Sequence, residues 1–164
     1  TGLYNRKTYD DYLPIHMEEC KDTNKCLSLA IIDLDHFKNV NDLYGHAAGD
    51  QVLLYMAQML KNIQSDNIHA FRLGGDEFAV LFKDCTVEEA YHICDNLRTH
   101  MESSSLHDID KKTVTFSCGL VGMIPRHISL EEFTKAADSA LYVAKNSNRN
   151  QVVIHSDSMP YIKN

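Results

Sequence analysis

The sequence predicts an α/β fold with helices packed on a central sheet, and three observations carry that prediction. Leu27-Ser-Leu-Ala-Ile-Ile32 is a mostly aliphatic run that ends in Asp33-Leu34-Asp35, the pattern of a buried strand delivering carboxylates at its C-terminal edge. Gly74-Gly75 separates two apolar runs, His69 to Leu73 and Phe78 to Phe82, as the turn of a tight β-hairpin does. Thr86-Val-Glu-Glu89 and Ser129-Leu-Glu-Glu132 both read as capping boxes that open amphipathic helices. The resulting order is βα, ββα, βα, β, with no internal repeat or low-complexity segment.

Taken in order, Asn5 to Cys20 reads as a first helix with Tyr9, Tyr12, Leu13 and Met17 in partial register, and Pro14 predicts a break or kink inside it. Lys21 to Lys25 is polar and reads as a loop into the Leu27 strand. A short helix over Phe37 to Leu43 follows Asp35. Val52 to Ile63 places Val52, Met56, Met59, Leu60 and Ile63 on one stripe, a core-facing helix whose methionines are packing groups. The Thr86 box leads into a helix with Ala90, Ile93, Leu97 and Met101 inward. Ser103 to Lys112 is polar and reads as a loop. Thr113 to Cys118 alternates polar and apolar in strand fashion, with Gly119 and Gly122 allowing a bend or close packing. The Ser129 box opens a helix carrying Phe133, Ala136, Ala137, Ala140, Leu141 and Ala144, whose small alanines suit close approach to a sheet. Gln151 to Ile154 reads as a last strand and His155 to Asn164 as a loose tail.

The chain has 164 residues, enough for one domain with its own core. Its 44% hydrophobic and 24% charged content is ordinary for a globular protein, and no apolar run approaches a membrane span. A net charge of −7 argues against nucleic-acid binding, which needs a basic face. An anionic substrate would then rely on local cations. Cys20, Cys26, Cys85, Cys94 and Cys118 show no CxxC spacing, which favours reduced thiols over a disulfide framework or zinc site.

Two strand ends carrying acids, Asp33 with Asp35 and Asp76 with Glu77, suggest a divalent-cation site, because Mg²⁺ takes oxygen ligands from one or two carboxylates plus substrate phosphates. The bland alternative for Asp76 and Glu77 is a solvated hairpin tip. Neighbours on a strand point to opposite faces, unless the turn brings both carboxylates to one ligand. Backbone N–H groups at the strand-to-helix junction after Asp35 would form a phosphate cradle. By themselves Lys38 reads as a surface lysine, Asn41 and Asp50 as helix caps, His46 as a structural histidine, and Lys145 and Arg149 as cations balancing a helix C-terminus. The last two are four residues apart and share one side if their helix continues.

Asp33-Leu-Asp-His-Phe-Lys38, Asn41-Asp-Leu-Tyr-Gly-His46, Gly49-Asp50, Gly74-Gly-Asp-Glu-Phe78, and Ala137-Asp-Ser-Ala-Leu-Tyr-Val-Ala-Lys145 with Arg149-Asn150 closely resemble the GGDEF domains of diguanylate cyclases. Thr1-Gly-Leu-Tyr-Asn-Arg6 is similar to that family's domain start, so the resemblance covers Thr1 to about Ile154. It sharpens the fold to the palm-like, ferredoxin-related, nucleotidyl-cyclase-like sheet. It also implies a nucleotidyltransferase of bacterial second-messenger signalling that condenses two GTP into cyclic di-GMP, releasing pyrophosphate, between two protomers. By resemblance, Asp33, the Leu34 carbonyl, Asp76 and Glu77 hold Mg²⁺ or Mn²⁺, and Asp76 is coupled most directly to activating the ribose 3′-hydroxyl. Lys38 and the backbone from Leu34 to Phe37, His36 included, hold the triphosphate. Gly74 and Gly75 border it, and Lys145 and Arg149 contact its β- and γ-phosphates. Asn41 and Asp50 bind guanine, whose N–H donors suit a carboxylate and whose O6 suits an amide. Relatives making a mixed guanine–adenine product carry a hydroxyl residue in place of Asp50, so Asp here argues for GTP on both sides. Gly45, His46 and Gly49 shape the pocket floor.

Asn148 stands where the family usually has Gly, a change that the left-handed tolerance of Asn makes mild. Ser65-Asp-Asn-Ile68 occupies the window of the family's Arg-x-x-Asp inhibitory site and has neither required residue, so product feedback there is expected to be absent. A catalytically weak, GTP-binding regulatory domain is the main rival reading; such relatives usually lose the acidic turn or the guanine pair, and this chain keeps both. An interaction module with incidental carboxylates would need five spaced motifs to coincide. The domain is expected to be cytoplasmic, whether or not the larger protein it belongs to is membrane-anchored, with a sensory or regulatory region N-terminal to it, and to touch neither membrane nor nucleic acid itself.

Overall fold

The computed structural model describes residues 2–104 and 114–159. Its elements are α1 Arg6–Thr23, β1 Leu27–Leu34, α2 Phe37–Tyr44, α3 His46–Ile63, β2 Ile68–Gly74, β3 Glu77–Lys83, α4 Val87–Glu102, β4 Phe116–Met123, α5 Leu130–Asn146 and β5 Val152–Ile154. The strands form one sheet in the order β2-β3-β1-β4-β5. β1 lies antiparallel to both β3 and β4, and β5 joins β4 in parallel.

Strand alternation divides the core in two. On one face Ala30, Ile32 and Leu34 of β1, with Phe78, Val80 and Phe82 of β3, meet Val52, Met56 and Leu60 of α3 and Ala90, Cys94 and Leu97 of α4. On the other, Leu27, Leu29 and Ile31, with Ala79 and Leu81, meet Tyr9, Leu13 and Met17 of α1 and Phe133, Ala137 and Leu141 of α5. Fully burying a side chain of this size contributes about 1.5–3 kcal/mol, so both helix layers are anchored mainly by these faces. Ser28, buried within the β1 run, satisfies its hydroxyl by donating to the Cys85 carbonyl at 3.0 Å.

Several expected boundaries move. α1 runs unbroken across Pro14 and on to Thr23, where left-handed Asn24 ends it. Pro14 and Asp10, whose carbonyl would be the partner of residue 14, both lie on the solvent side, where a missing helix bond costs least. α3 starts at His46, six residues before the apolar stripe, because the Gly45 turn delivers the chain directly into it. In α4 Cys94 is buried with Ala90, Leu97 and Met101, and Ile93 packs half-buried against the same core. Both capping boxes form as read. β4 does not bend at its glycines: Gly119 lies flat against the α5 backbone, where a Cβ would strike the Ala137 carbonyl and the Leu141 amide. Most of the loop expected over Ser103 to Lys112 lies outside the described residues, as do Thr113 and the end of the expected tail.

At the sheet's edge His16 and His69 stack with ring centroids 5.4 Å apart. Burial pushes both imidazoles below their ordinary value, the Lys83 ammonium adds to this at each, and His16 Nε2 is buried without a partner. The native state therefore favours neutral rings. Their contribution to stability is complete above the unfolded value near 6.5 and is lost as pH falls through it toward the lower folded values. The urea midpoint is expected to drop between about pH 7 and pH 5.5, and His69→Gln should flatten that drop; an equal drop in the variant would remove His69 from the account.

Candidate functional site

β1 and the β2–β3 hairpin put their acids at one sheet end. Gly75 and Asp76 form the two-residue tip between the paired residues Gly74 and Glu77, and a register shift between Arg72 and Gly74 re-aims the end of β2. Gly74 has φ 143° and Gly75 φ 52°, conformations that L side chains rarely adopt, and space beyond both is open. The tip is tied to β1 where the Leu34 N–H donates to the Asp76 carbonyl at 3.2 Å.

Asp33 lies opposite Glu77 in the β1–β3 register and beside the Asp76 carboxylate. Burial pushes the Asp33 carboxyl up; a hydrogen bond from the Lys145 ammonium opposes this, and the Asp76 charge adds to it. Lys145 of α5 sits against Asp33 Oδ2 as an ion pair. Burial likewise raises Glu77, reinforced by Asp33 and Asp138. On the α1/α5 side of the hairpin a cavity of about 440 Å³ is lined by Arg6, Tyr9, Glu77 and Asp138 among others.

Asp35 is different. It is buried and bonded three times, by the Thr115 and Ser117 hydroxyls at 2.7 Å each and by the Asn150 N–H at 3.0 Å. It is a structural acceptor, and the pairing of Asp33 with Asp35 suggested by their spacing does not form a shared site. Threonine and serine at the start of β4 were the available signal. Among the described residues no three His, Cys, Asp or Glu side chains converge as a ready metal cluster. Asp33 and Asp76 nevertheless offer oxygen donors side by side, with a cation already drawn to one of them, which fits a hard ion sharing its coordination with a substrate.

The chain leaves β1 through His36, at φ 55°, into α2, whose N-terminus has no side-chain cap. Its first N–H groups thus remain open beside the carboxylates, with Phe37 half-buried and Lys38 exposed in the first turn. Asn41 and Asp50 are not caps. The α2–α3 turn at Gly45 brings the Asn41 amide over Gly49, so closely that a Cβ at Gly49 would collide with Asn41 Oδ1. Asn41 and the neighbour of Asp50 thus share one spot, with His46 exposed at the start of α3.

Arg149 does not share a helical face with Lys145. α5 stops at Asn146, and Asn148, Arg149 and Asn150 all take positive φ, at 73°, 56° and 48°. Asn148 adopts the left-handed geometry anticipated for it, but two more residues follow suit. Arg149 N–H returns to the Ala144 carbonyl at 3.0 Å, and exposed Arg149 is carried by the turn that Asn150 fastens to Asp35. Sequence reasoning also gave no role to Arg72, whose guanidinium grips the turn, or to Asp138; a cation two residues before the Gly-Gly pair was the visible hint for the first.

Comparison with known proteins places this fold in a family. The family model described as diguanylate cyclase, GGDEF domain matches residues 1–151. The GGDEF domain of DgcB from Caulobacter crescentus, solved in complex with c-di-GMP, superposes with a TM-score of 0.89 at 33% identity, covering 94% of this chain and 89% of that one. The active GGEEF domain of a diguanylate cyclase from Vibrio cholerae gives 0.88 at 28% identity, covering 95% and 99%. An uncharacterized membrane protein of Staphylococcus haemolyticus is 39% identical over 158 residues, 94% of this chain and 44% of that protein. The chain therefore spans less than half the length of the curated relatives it matches. Among the described residues no helix is long and apolar enough to cross a membrane.

The juxtaposed carboxylates cost stability when no cation is bound. Asp76→Asn is expected to stabilise the protein in chelator by roughly 0.5–2 kcal/mol in urea unfolding. An unchanged or lower midpoint would mean that Asp33 and Asp76 do not repel one another.

Proposed function

The chain belongs to the diguanylate cyclase GGDEF family, and on that premise we propose that it condenses two GTP into cyclic di-GMP with release of pyrophosphate, between two copies of residues 1–154. The observation that carries the reading is the meeting of Asp33, Asp76 and Lys145 beside the uncapped start of α2, where carboxylates for a cation adjoin N–H groups and an ammonium for phosphate. Asp33, Asp76, Glu77 and the Leu34 carbonyl are the groups that would hold Mg²⁺ or Mn²⁺. Bound there, such ions supply charge neutralisation on the triphosphate and lower the barrier at the α-phosphorus.

The chain's own groups do the rest. Asn41 and Asp50 take the guanine edge, Asp50 accepting from its N–H groups, which selects GTP on both sides. The α2 N-terminus at His36 and Phe37, with Lys38, cradles the triphosphate, and open space over Gly74 and Gly75 admits it. Lys145 trades Asp33 for a phosphate oxygen as substrate enters, and Arg149 joins it from the turn. Asp76 draws the proton of the ribose 3′-hydroxyl. One copy holds one GTP, so two sites must face one another before both phosphodiester bonds close, and a homodimer, at least a transient one, is the active species.

The relatives, more than twice as long as the part of them matched here and described as membrane proteins, support the view that this is the cytoplasmic output domain of a membrane-anchored protein with a sensory or regulatory region. A catalytically weak, GTP-binding regulatory domain is the second reading.

Product chromatography after incubation with GTP and Mg²⁺ separates these readings. The wild type, or a version fused to a dimerising coiled coil, is expected to yield cyclic di-GMP, and Asp76→Ala to lose about 10²–10⁴-fold in rate. GTP binding with no product even from the fused dimer would replace the enzyme by a sensor. Ser65 and Ile68 bond each other across a closed turn, by paired N–H to carbonyl contacts of 3.0 and 3.3 Å. Calorimetry with cyclic di-GMP is therefore expected to find no tight site at Ser65–Ile68; tight binding abolished by changes there would overturn the absence of feedback.

A further inference from the structure

Arg72 lies on the strand that leads into the acidic turn, yet among the described residues it has no carboxylate hydrogen-bond partner. Its Nε and Nη2 both donate to the Gly75 carbonyl, at 3.1 and 2.7 Å. A charged donor spent twice on one backbone oxygen fixes where that oxygen lies. The oxygen belongs to a turn with two consecutive positive-φ glycines, Gly74 and Gly75, which by themselves permit many conformations. From Gly75 the path is one residue long: the carbonyl of Asp76 accepts the Leu34 N–H at 3.2 Å, locking the tip to the end of β1.

The backbone of Arg72 faces the other way. Its N–H donates to the Tyr4 carbonyl at 2.8 Å, and Tyr4 bridges β2 at Phe71 as a short parallel addition to the sheet's edge. The Tyr4 ring holds this contact by packing on Tyr12 and Phe71, with centroids 5.5 and 5.7 Å away. A single residue thus touches both the segment that leads into α1 and the tip that carries Asp76. We propose that Arg72 is a positioning residue that sets the conformation of the Asp76 turn and makes it answer to the seating of Tyr4. The proposal rests on Asp76 as an active-centre carboxylate. Displacing the segment before α1 then loosens the active turn within one protomer, independently of how two protomers meet.

Amide hydrogen exchange tests this without turnover. The Leu34 N–H reports the tip, and the Leu29 N–H, in the middle of β1, reports global opening. Arg72→Met is expected to speed exchange at Leu34 by about tenfold or more, the loss of a charged hydrogen bond, while leaving Leu29 unchanged. Arg72→Lys, with one donor group, should fall between. Tyr4→Gly should also speed Leu34, and the double variant should be no faster than Arg72→Met alone, because both act through one path. Wild-type protection at Leu34 in Arg72→Met, or equal acceleration at Leu34 and Leu29, would overturn the positioning role. Wild-type protection in Tyr4→Gly, or additive effects, would overturn the link to Tyr4. With GTP, Arg72→Met should lower kcat while KM stays within about twofold, as for a residue that acts on the reacting geometry rather than on binding; a change confined to KM would count against it. Failure of every form to make cyclic di-GMP would overturn the cyclase reading instead, since the exchange pattern decides on Arg72 without turnover.

Discussion

β1 is paired on both edges along its length, from Leu27 opposite Lys83 and Met123 to Asp33 opposite Glu77 and Ser117, and this register decides where every acidic group falls. Side chains alternate faces along a strand, so a slip of one residue would move Asp33 onto the opposite face and send Ile32 out of its own. The large apolar side chains of β1 and β3 forbid that slip. Phe78, Val80 and Phe82 are fully buried against α3 and α4, and no polar residue of β3 can take their place. The same burial that anchors the fold therefore aligns Asp33 with Glu77 and leaves the hairpin tip one residue away.

Carboxylates so placed separate by how they are satisfied. Asp35 has three donors and anchors the turn after α5. Asp33, Glu77 and Asp138 are half-buried and pushed up by that burial, and among the described residues only Asp33 of the three has a cation in contact. Groups left this way favour an incoming positive charge, and uncompensated cost is common where a site awaits a ligand. Lys145 is a partial answer: its ammonium offsets part of what burial and Asp76 cost Asp33.

The sheet, the two capped helices and the acidic hairpin were legible in the sequence because each rests on local rules: period-two alternation, the capping-box spacing, and paired glycines. That Asp33, Asp76 and Glu77 lie at one end of the sheet follows from the same rules. What escaped was non-local. Nothing near Pro14 tells that its helix face is solvent-exposed, so the helix continues where a break was read. Asp35 and Asp33 look equivalent until Thr115 and Ser117 arrive from a strand eighty residues on. Arg149 sits at helical spacing from Lys145, but Asn150 is pulled to Asp35 and takes the helix end with it.

That pull explains an otherwise costly stretch of backbone. Three consecutive non-glycine residues at positive φ are unfavourable, least so for the two asparagines and most for Arg149, and such strain persists only where surroundings over-determine it. Here they do. The Asn150 N–H is held by Asp35, its side chain accepts from Arg98 at 3.1 Å and donates to Glu102 at 3.1 Å, and Arg149 N–H closes on Ala144. The end of β1, the end of α4 and the end of α5 are thus bolted at one residue. An ordinary helical continuation would carry Arg149 along the α5 axis; the bolt instead fixes it on a turn fastened to the strand end that bears Asp33. The strain and the buried acceptor are parts of one arrangement, because without Asp35 there would be nothing to hold Asn150, and without the turn nothing to place Arg149.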